Sequence, residues 1–378
     1  MDPHASDRPI EPEFLDDLPA VGDGSGLSHD PLFHIEELQL AFRNRGMPLE
    51  ALRYPITPTG LHYLLTHFDI PYGDAASWRL SVGGLVRRPL AFSLDDLKAR
   101  PTVSMPVTME CGGNGRALFE PRSLSQPWLL EAIGTAEWTG TPLRGVLEEA
   151  GVADAAVELV FTGIDWGIQG GVVQPYQRSL TGEEAMREEV LLAWGMNGEP
   201  LQPQHGAPLR LVVPGWFGMT SVKWLATIEA VAEPFEGYQM INTYRYTQTA
   251  DDIGDPVTLL RPRALMIPPG IPDFASRLRV VQRGPVTLTG RAWAGRPGVA
   301  RVEVSADGGA TWRDATLEEP VGRHAWRGWS CEWDAAPGDH TLLVRATDGD
   351  GNTQPLEQEW NYQGMGNNMV QRVPVRVV

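Results

Sequence analysis

The sequence predicts two folded units, an α+β body followed by an antiparallel all-β sandwich, and three observations lead there. The chain has 378 residues, too many for one ordinary core. Over residues 31–248, helix-like patterns and short strand-like runs mingle without a regular strand–helix–strand rhythm. From about residue 276 the chain changes to short alternating runs divided by Gly, Asp and Pro turns.

Taken in order, residues 1–30 are acidic and rich in Gly and Pro, and read as a flexible tail. HIEELQLAFRNRG (34–46) carries apolar residues near helical spacing and a terminal Gly, and predicts a helix. PLRGVLEEAG (142–151) predicts a second, shorter one. GLHYLLTHFDIP (60–71) fits a short helix or a strand ended by Pro71. WRLSVGGLV, VELVFTG and PLRLVVPG read as strands. Residues 249–275 carry five prolines and read as a wrapping linker. Beyond it PVTLTGRAWAG, ARVEVSADGGATW, WRGWSCEWD and HTLLVRATDGDG predict a sandwich of immunoglobulin type over 276–378. Asp307-Gly308-Gly309 supplies its clearest hairpin turn.

Composition narrows the function. A net charge of −17 argues against nucleic acid or an anionic membrane as partner, since both require clustered Lys and Arg. An anionic substrate would need positive charge gathered locally. No apolar run approaches a membrane span. The acidic start lacks a basic segment followed by an apolar one, so the expected compartment is cytoplasmic, or periplasmic if a leader has been removed. Two cysteines, Cys111 and Cys331, exclude a disulfide-stapled scaffold.

Cys111 stands in VTMECGGNGR, between a strand-like run and a glycine-rich loop. Backbone N–H groups and the guanidinium of Arg116 can approach its sulfur, which is the setting of a working thiolate. From chemistry alone it could be a nucleophile, a metal ligand or an inert buried thiol. Zinc is disfavoured because no second Cys or closely spaced His pair accompanies it.

The surrounding blocks narrow this choice. CGGNGR is followed by WLLEAIGTAEWTGTPLRGVLEEAG, by EEVLLAWGMNGEPLQPQHGAPLRLVVPGWFGMTSVKWL and by YQMINTYRYTQ. In this order, and over nearly the whole chain, they resemble the sulfite oxidase family of molybdenum enzymes. The resemblance implies a molybdopterin-binding domain over 31–248 and a dimerisation domain over 276–378, hence a homodimer. It implies molybdenum and molybdopterin as cofactors, with Cys111 giving the protein's sulfur to the metal. His67, Asp165, His205, Arg210, Ser221 and Lys223 fall where the family holds the pterin and its phosphate. Arg116 matches an arginine facing the substrate oxyanion, and Trp128 and Tyr244 match aromatics of the same pocket.

The implied reaction is oxidation of sulfite to sulfate by oxygen-atom transfer. With no CxxCH in the chain, the electrons would pass to an external acceptor such as a cytochrome. Three positions depart from the pattern. Leu65 and Gln363 stand where the family carries arginines, and Gly115 replaces a residue that is often arginine. Each charge-assisted contact to an oxyanion is worth roughly 1.5–3 kcal/mol, so two losses weaken binding ~100-fold unless Arg178 or Arg245 compensates. That leaves another sulfur compound, an S-oxide or nitrate as the alternative substrate, and a non-catalytic relative as the other class.

Three features read as structural. Asp348-Gly-Asp350-Gly-Asn352 lacks the glycine a calcium loop requires at its sixth position and reads as a turn. His62 lies five residues from His67, which is not a helical metal spacing, so only His67 is retained. Cys331, between tryptophans in an alternating run, reads as a small core hydrophobe.

Overall fold

The computed structural model describes residues 34–72 and 75–378, together with the backbone of residues 27–28. Apart from Leu27–Ser28, which pairs with Arg122–Ser123, the tail expected over 1–30 lies outside the described residues. The body expected to be α+β is mostly strand. Its helices are short, Ile35–Arg43 and Leu143–Ala150 being the longest among the described residues. Most of its apolar runs find strand partners instead, so the layers are sheets and the helices only cover them.

Two five-stranded sheets form this body. The first runs Glu199–Pro200, Leu191–Met196, Ile133–Pro142, Val103–Glu110, with Arg210–Val212 also paired to Leu191–Met196. The second runs Leu90–Phe92, Leu80–Gly84, Leu225–Val231, Glu158–Gln169, Val172–Thr181. Leu225–Val231 lies parallel to Leu80–Gly84 and antiparallel to Glu158–Gln169. A core of Leu80, Val82, Leu159, Phe161, Leu192, Leu211 and Ile228 fills the space between, each side chain almost fully buried.

The Leu143–Ala150 helix shows how the pattern becomes packing. Leu143, Val146, Leu147 and Ala150 repeat at helical spacing and form its buried stripe. Gly151 ends it at a positive φ of 67°, where glycine carries no Cβ penalty. The Ile35–Arg43 helix behaves differently. It ends at Arg43 rather than at Gly46, and Ile35, Leu38 and Phe42 are exposed while Glu37 is buried against Arg122. GLHYLLTHFDIP forms neither helix nor strand beyond a single turn at Thr59–Leu61.

The second unit is a two-sheet sandwich. One sheet runs Arg263–Met266, Gly284–Trp293, Arg327–Ala335, Thr316–Leu317, and the other runs Ile271–Pro272, Arg279–Val281, Gln371–Val377, Gly338–Asp348, Val299–Ser305, Arg313–Asp314. All pairs are antiparallel except Arg279–Val281 with Gln371–Val377. Leu288, Val302, Trp329, Leu342 and Val344 lie in the shared core. This corrects the linker expected over 249–275, because Arg263–Met266 is a fully buried strand of the sandwich.

The two units are joined by direct contacts. Val107 bridges to His324, the amide of Trp326 donates to the Thr108 hydroxyl at 2.7 Å, and Arg296 pairs with Glu184. Phe161 is completely buried in a central strand of the body, so Phe161→Ala should cost about 3–5 kcal/mol. Denaturant unfolding followed by fluorescence would measure it, with the larger shift in the transition belonging to the body.

Candidate functional site

A narrow cleft, with a cavity volume of about 70 Å³, opens between the Val103–Glu110 strand, the irregular 62–67 segment and the Gly218–Lys223 turn. Its wall contains Cys111, His67, Asp165, His205, Arg210, Ser221, Lys223 and Tyr244. Those residues come from separate parts of the sequence, and the fold brings them to one place. Arg116 and Trp128 lie just behind the wall. His62, Tyr63, Leu65, Tyr176 and Trp224 complete it.

Cys111 follows the last residue of its strand and caps a tight loop. Its amide donates to Ala132 O at 2.9 Å, and its carbonyl accepts from Asn114 at 3.0 Å. A Cβ on Gly113 would stand 2.6 Å from the Arg116 guanidinium, so any side chain there would push Arg116 aside. Gly115, at φ 89°, turns the chain back. The sequence suggested an open loop and an activated thiolate; the structure instead buries Cys111 to 6% exposure. Burial pushes the thiol up, and Arg116, the Gly113 amide and the Trp128 indole offset this only in part. A metal cation would reverse that balance, since a coordinating thiol loses its proton outright.

Arg210 and Lys223 dominate the other end. Arg210 donates to His205 O and Ser221 O, each at 3.0 Å, and stacks 4.7 Å from the centroid of the Trp138 ring. Burial lowers it to about 10, and no carboxylate lies in ion-pair range among the described residues. The Lys223 ammonium donates to Leu65 O at 2.8 Å and Gln204 O at 3.1 Å. Burial, then Arg210, lower it to about 7, with Asp165 acting against them. Burial in turn raises Asp165 to about 7, and its Oδ1 has no hydrogen-bond partner.

The histidines carry no charge to help. Burial brings His62 to about 4 and His205 to about 2, and the Nε2 of each is buried without a partner. His62 Nδ1 faces the Tyr63 carbonyl at 3.0 Å, which fixes the proton there and leaves Nε2 a bare lone pair. His67 Nε2 contacts Gln169 Oε1 at 2.7 Å, and Ser221 Oγ accepts the Val213 amide at 3.1 Å. Cations without counter-charges and orphaned ring nitrogens lining one cleft fit a polyanionic, hydrogen-bonding cofactor.

Comparison with known proteins decides which cofactor. Residues 67–239 match the oxidoreductase molybdopterin binding domain, and 271–378 match the Mo-co oxidoreductase dimerisation domain. The chain belongs to the sulfite oxidase family of molybdopterin oxidoreductases. Its cofactor is molybdenum carried by molybdopterin. The sulfane dehydrogenase SoxCD of Paracoccus pantotrophus superposes over 100% of this chain and 92% of its own, with a TM-score of 0.78 and 26% identity. A nitrate reductase [NAD(P)H] of Hordeum vulgare is 35% identical over 85% of this chain and 39% of its own length. A nitrate reductase [NADH] of Solanum lycopersicum is 32% identical over 88% and 40%. The chain therefore spans about two fifths of the length of these curated relatives.

The end of the cleft around Cys111 is poor in free charge. Leu65 packs on Cys111 and Trp128. The Gln363 side chain accepts the Arg245 amide at 3.1 Å and donates to Asn242 O at 3.0 Å, bracing the segment that carries Tyr244. Arg245 is tied to the carbonyls of Met240, Ile253 and Gly254 and does not reach the cleft. Arg116 donates to Gln363 O at 3.2 Å and Gln126 O at 3.4 Å. Arg178, at 2% exposure, lies under the Tyr244 ring, 5.5 Å from its centroid, with Nε unpartnered. Tyr244 itself has a positive φ of 59°, a strained conformation for an aromatic residue.

Sequence reasoning set His62 aside on its spacing from His67 and passed over Tyr63 and Tyr176, though all three line the cleft. His62 and Tyr63 lie in irregular chain and Tyr176 in the Val172–Thr181 strand, and spacing within either does not reveal which side chains converge on a cleft. Because Lys223 loses its proton and Asp165 gains its charge near pH 7, inorganic pyrophosphate should bind the cofactor-free protein progressively more weakly above that pH. Calorimetry in buffers of different ionisation enthalpy should show proton uptake on binding. Lys223→Met should bind about 10–100-fold more weakly with a flatter pH dependence.

Proposed function

We propose that this chain carries out two-electron oxygen-atom transfer on a small sulfur-centred anion, with sulfite as the first candidate, and passes the electrons to a separate acceptor such as a cytochrome. The observation that carries the reading is Cys111 in one cleft wall with Tyr244, and the Arg116 guanidinium packed against Gly113 of the cysteine loop. The whole-chain likeness to a sulfane dehydrogenase supports sulfur as the reacting atom. When bound, the molybdenum supplies the redox change and the oxygen transfer.

The chain's own groups do the rest. Arg210, Lys223 and His205 would hold the cofactor phosphate, with Ser221 donating its hydroxyl proton. His67 and Asp165 would bond the pterin edge, and Cys111 would ligate the metal. Tyr244 would donate its hydroxyl proton toward the reacting oxygen, and the Trp128 indole would exclude water beside it. Arg116 would neutralise the anion. Arg178, held beneath Tyr244, would add charge missing at Leu65 and Gln363. The dimerisation domain supports a homodimer.

Leu65 favours a second reading, in which the substrate carries less charge than sulfite, such as an S-oxide or nitrate. Sulfite-dependent ferricyanide reduction by molybdenum-loaded protein separates the two. Saturable turnover, lost in Cys111→Ser and reduced about 10²-fold or more in Tyr244→Phe, is the expected result. A loaded protein inert to sulfite but reoxidised by nitrate or an S-oxide would transfer the assignment to the second reading.

A further inference from the structure

Glu110, the residue immediately before Cys111, is 2% exposed and receives three side-chain hydrogen bonds. Its Oε1 accepts from Arg263 Nη1 at 2.6 Å and from Asn114 Nδ2 at 3.0 Å, and its Oε2 accepts from Trp293 Nε1 at 2.7 Å. Asn114 belongs to the cysteine loop, but Arg263 and Trp293 belong to the sandwich. They are directly opposed partners on adjacent strands, and that register aims both donors at one carboxylate. Arg263 is 1% exposed, and its Nε and Nη2 have no partner. Its Nη1 also donates to Asn367 O at 2.8 Å.

From there the contact returns to the loop by a second route. Asn367 Nδ2 donates to Gly115 O at 2.9 Å, and the Gly366 amide donates to Gly112 O at 2.7 Å. The loop is thus gripped at Glu110, Gly112 and Gly115, on both sides of Cys111, by groups from the second unit. Breaking a buried ion pair leaves a charge without compensation, so the loop cannot drift away from Arg263 without a large cost.

We propose that Arg263, supported by Trp293, is a positioning residue for the Cys111 sulfur, acting through Glu110 and through Asn367. The sandwich is then part of the metal centre's scaffold as well as the dimerisation domain of its family. This goes beyond the substrate reading. It predicts that loop order and metal retention depend on a side chain that touches neither metal nor substrate.

The test is hydrogen–deuterium exchange on the full chain, with and without cofactor, alongside molybdenum content and thermal melting. Arg263→Met should speed exchange of the loop amides about tenfold or more, while peptides of the Gly338–Asp348 strand stay protected, and should lower molybdenum retention. Arg263→Lys, which keeps the charge, and the double variant Glu110→Gln/Arg263→Met, which removes the imbalance, should each recover much of the loop protection. If Arg263→Met does not fold, those two variants carry the test. Loop exchange and molybdenum retention unchanged in Arg263→Met, or loop exchange rising only in step with the sandwich strands, would overturn the proposal; where Arg263→Met does not fold, loop exchange identical to wild type in the double variant, which lacks the ion pair, would do so. Wild-type chain that holds no molybdenum would sink the cofactor reading, and the exchange comparison would still decide this one.

Discussion

The structure turns on two cations, Arg210 and Lys223, folded into a cleft where, among the described residues, no carboxylate comes within ion-pair range of either and Asp165 lies beside them unpaired. Arg210 spends its donors on backbone carbonyls and lies over Trp138. Lys223 is held near half-protonation at neutral pH. A protein gains no stability from such an arrangement by itself. It becomes favourable when a polyanion enters, and the strands that carry Arg210 and Leu225 are placed to hold both side chains ready for it. The cost in the empty chain is preorganisation, which would let a polyanion bind without first reordering the site.

The closed end of the cleft obeys a different rule. Cys111, Trp128, Leu65 and Ala132 make a small apolar cluster, and tyrosines rather than charges face it. A thiol there stays protonated until a metal arrives. The cations near it, Arg116 and Arg178, stand behind glycine and tyrosine instead of projecting into the cleft. Charge at this end therefore acts through an intervening layer, and the strained backbone of Tyr244 is part of that layer. Gln363 braces the segment that carries Tyr244 through hydrogen bonds to the Arg245 amide and to Asn242 O.

Much of this was legible in the sequence. Gly115, at a positive φ, marked the turn of the cysteine loop, and the Leu143–Ala150 stripe and the Asp307-Gly308-Gly309 turn appear where their patterns put them. Other parts were hidden for physical reasons. Pro262, Pro268 and Pro269 made the Arg263–Met266 strand look like linker, because they stop the chain on either side of a strand without interrupting it. Helical spacing identified Ile35–Arg43 but not its orientation, and its apolar side faces outward. The role of Arg178 depends on the ring stacked above it, and that of His62 on a neighbouring carbonyl. Neither contact leaves a trace in local spacing.

The central claim is that Cys111 gives the metal its protein sulfur. X-ray absorption at the molybdenum edge, on wild-type and Cys111→Ser proteins of measured metal content, tests it most directly. The account predicts one sulfur neighbour fewer in the variant, with the Arg210 and Lys223 end still retaining the cofactor. An unchanged sulfur shell in the variant would contradict it.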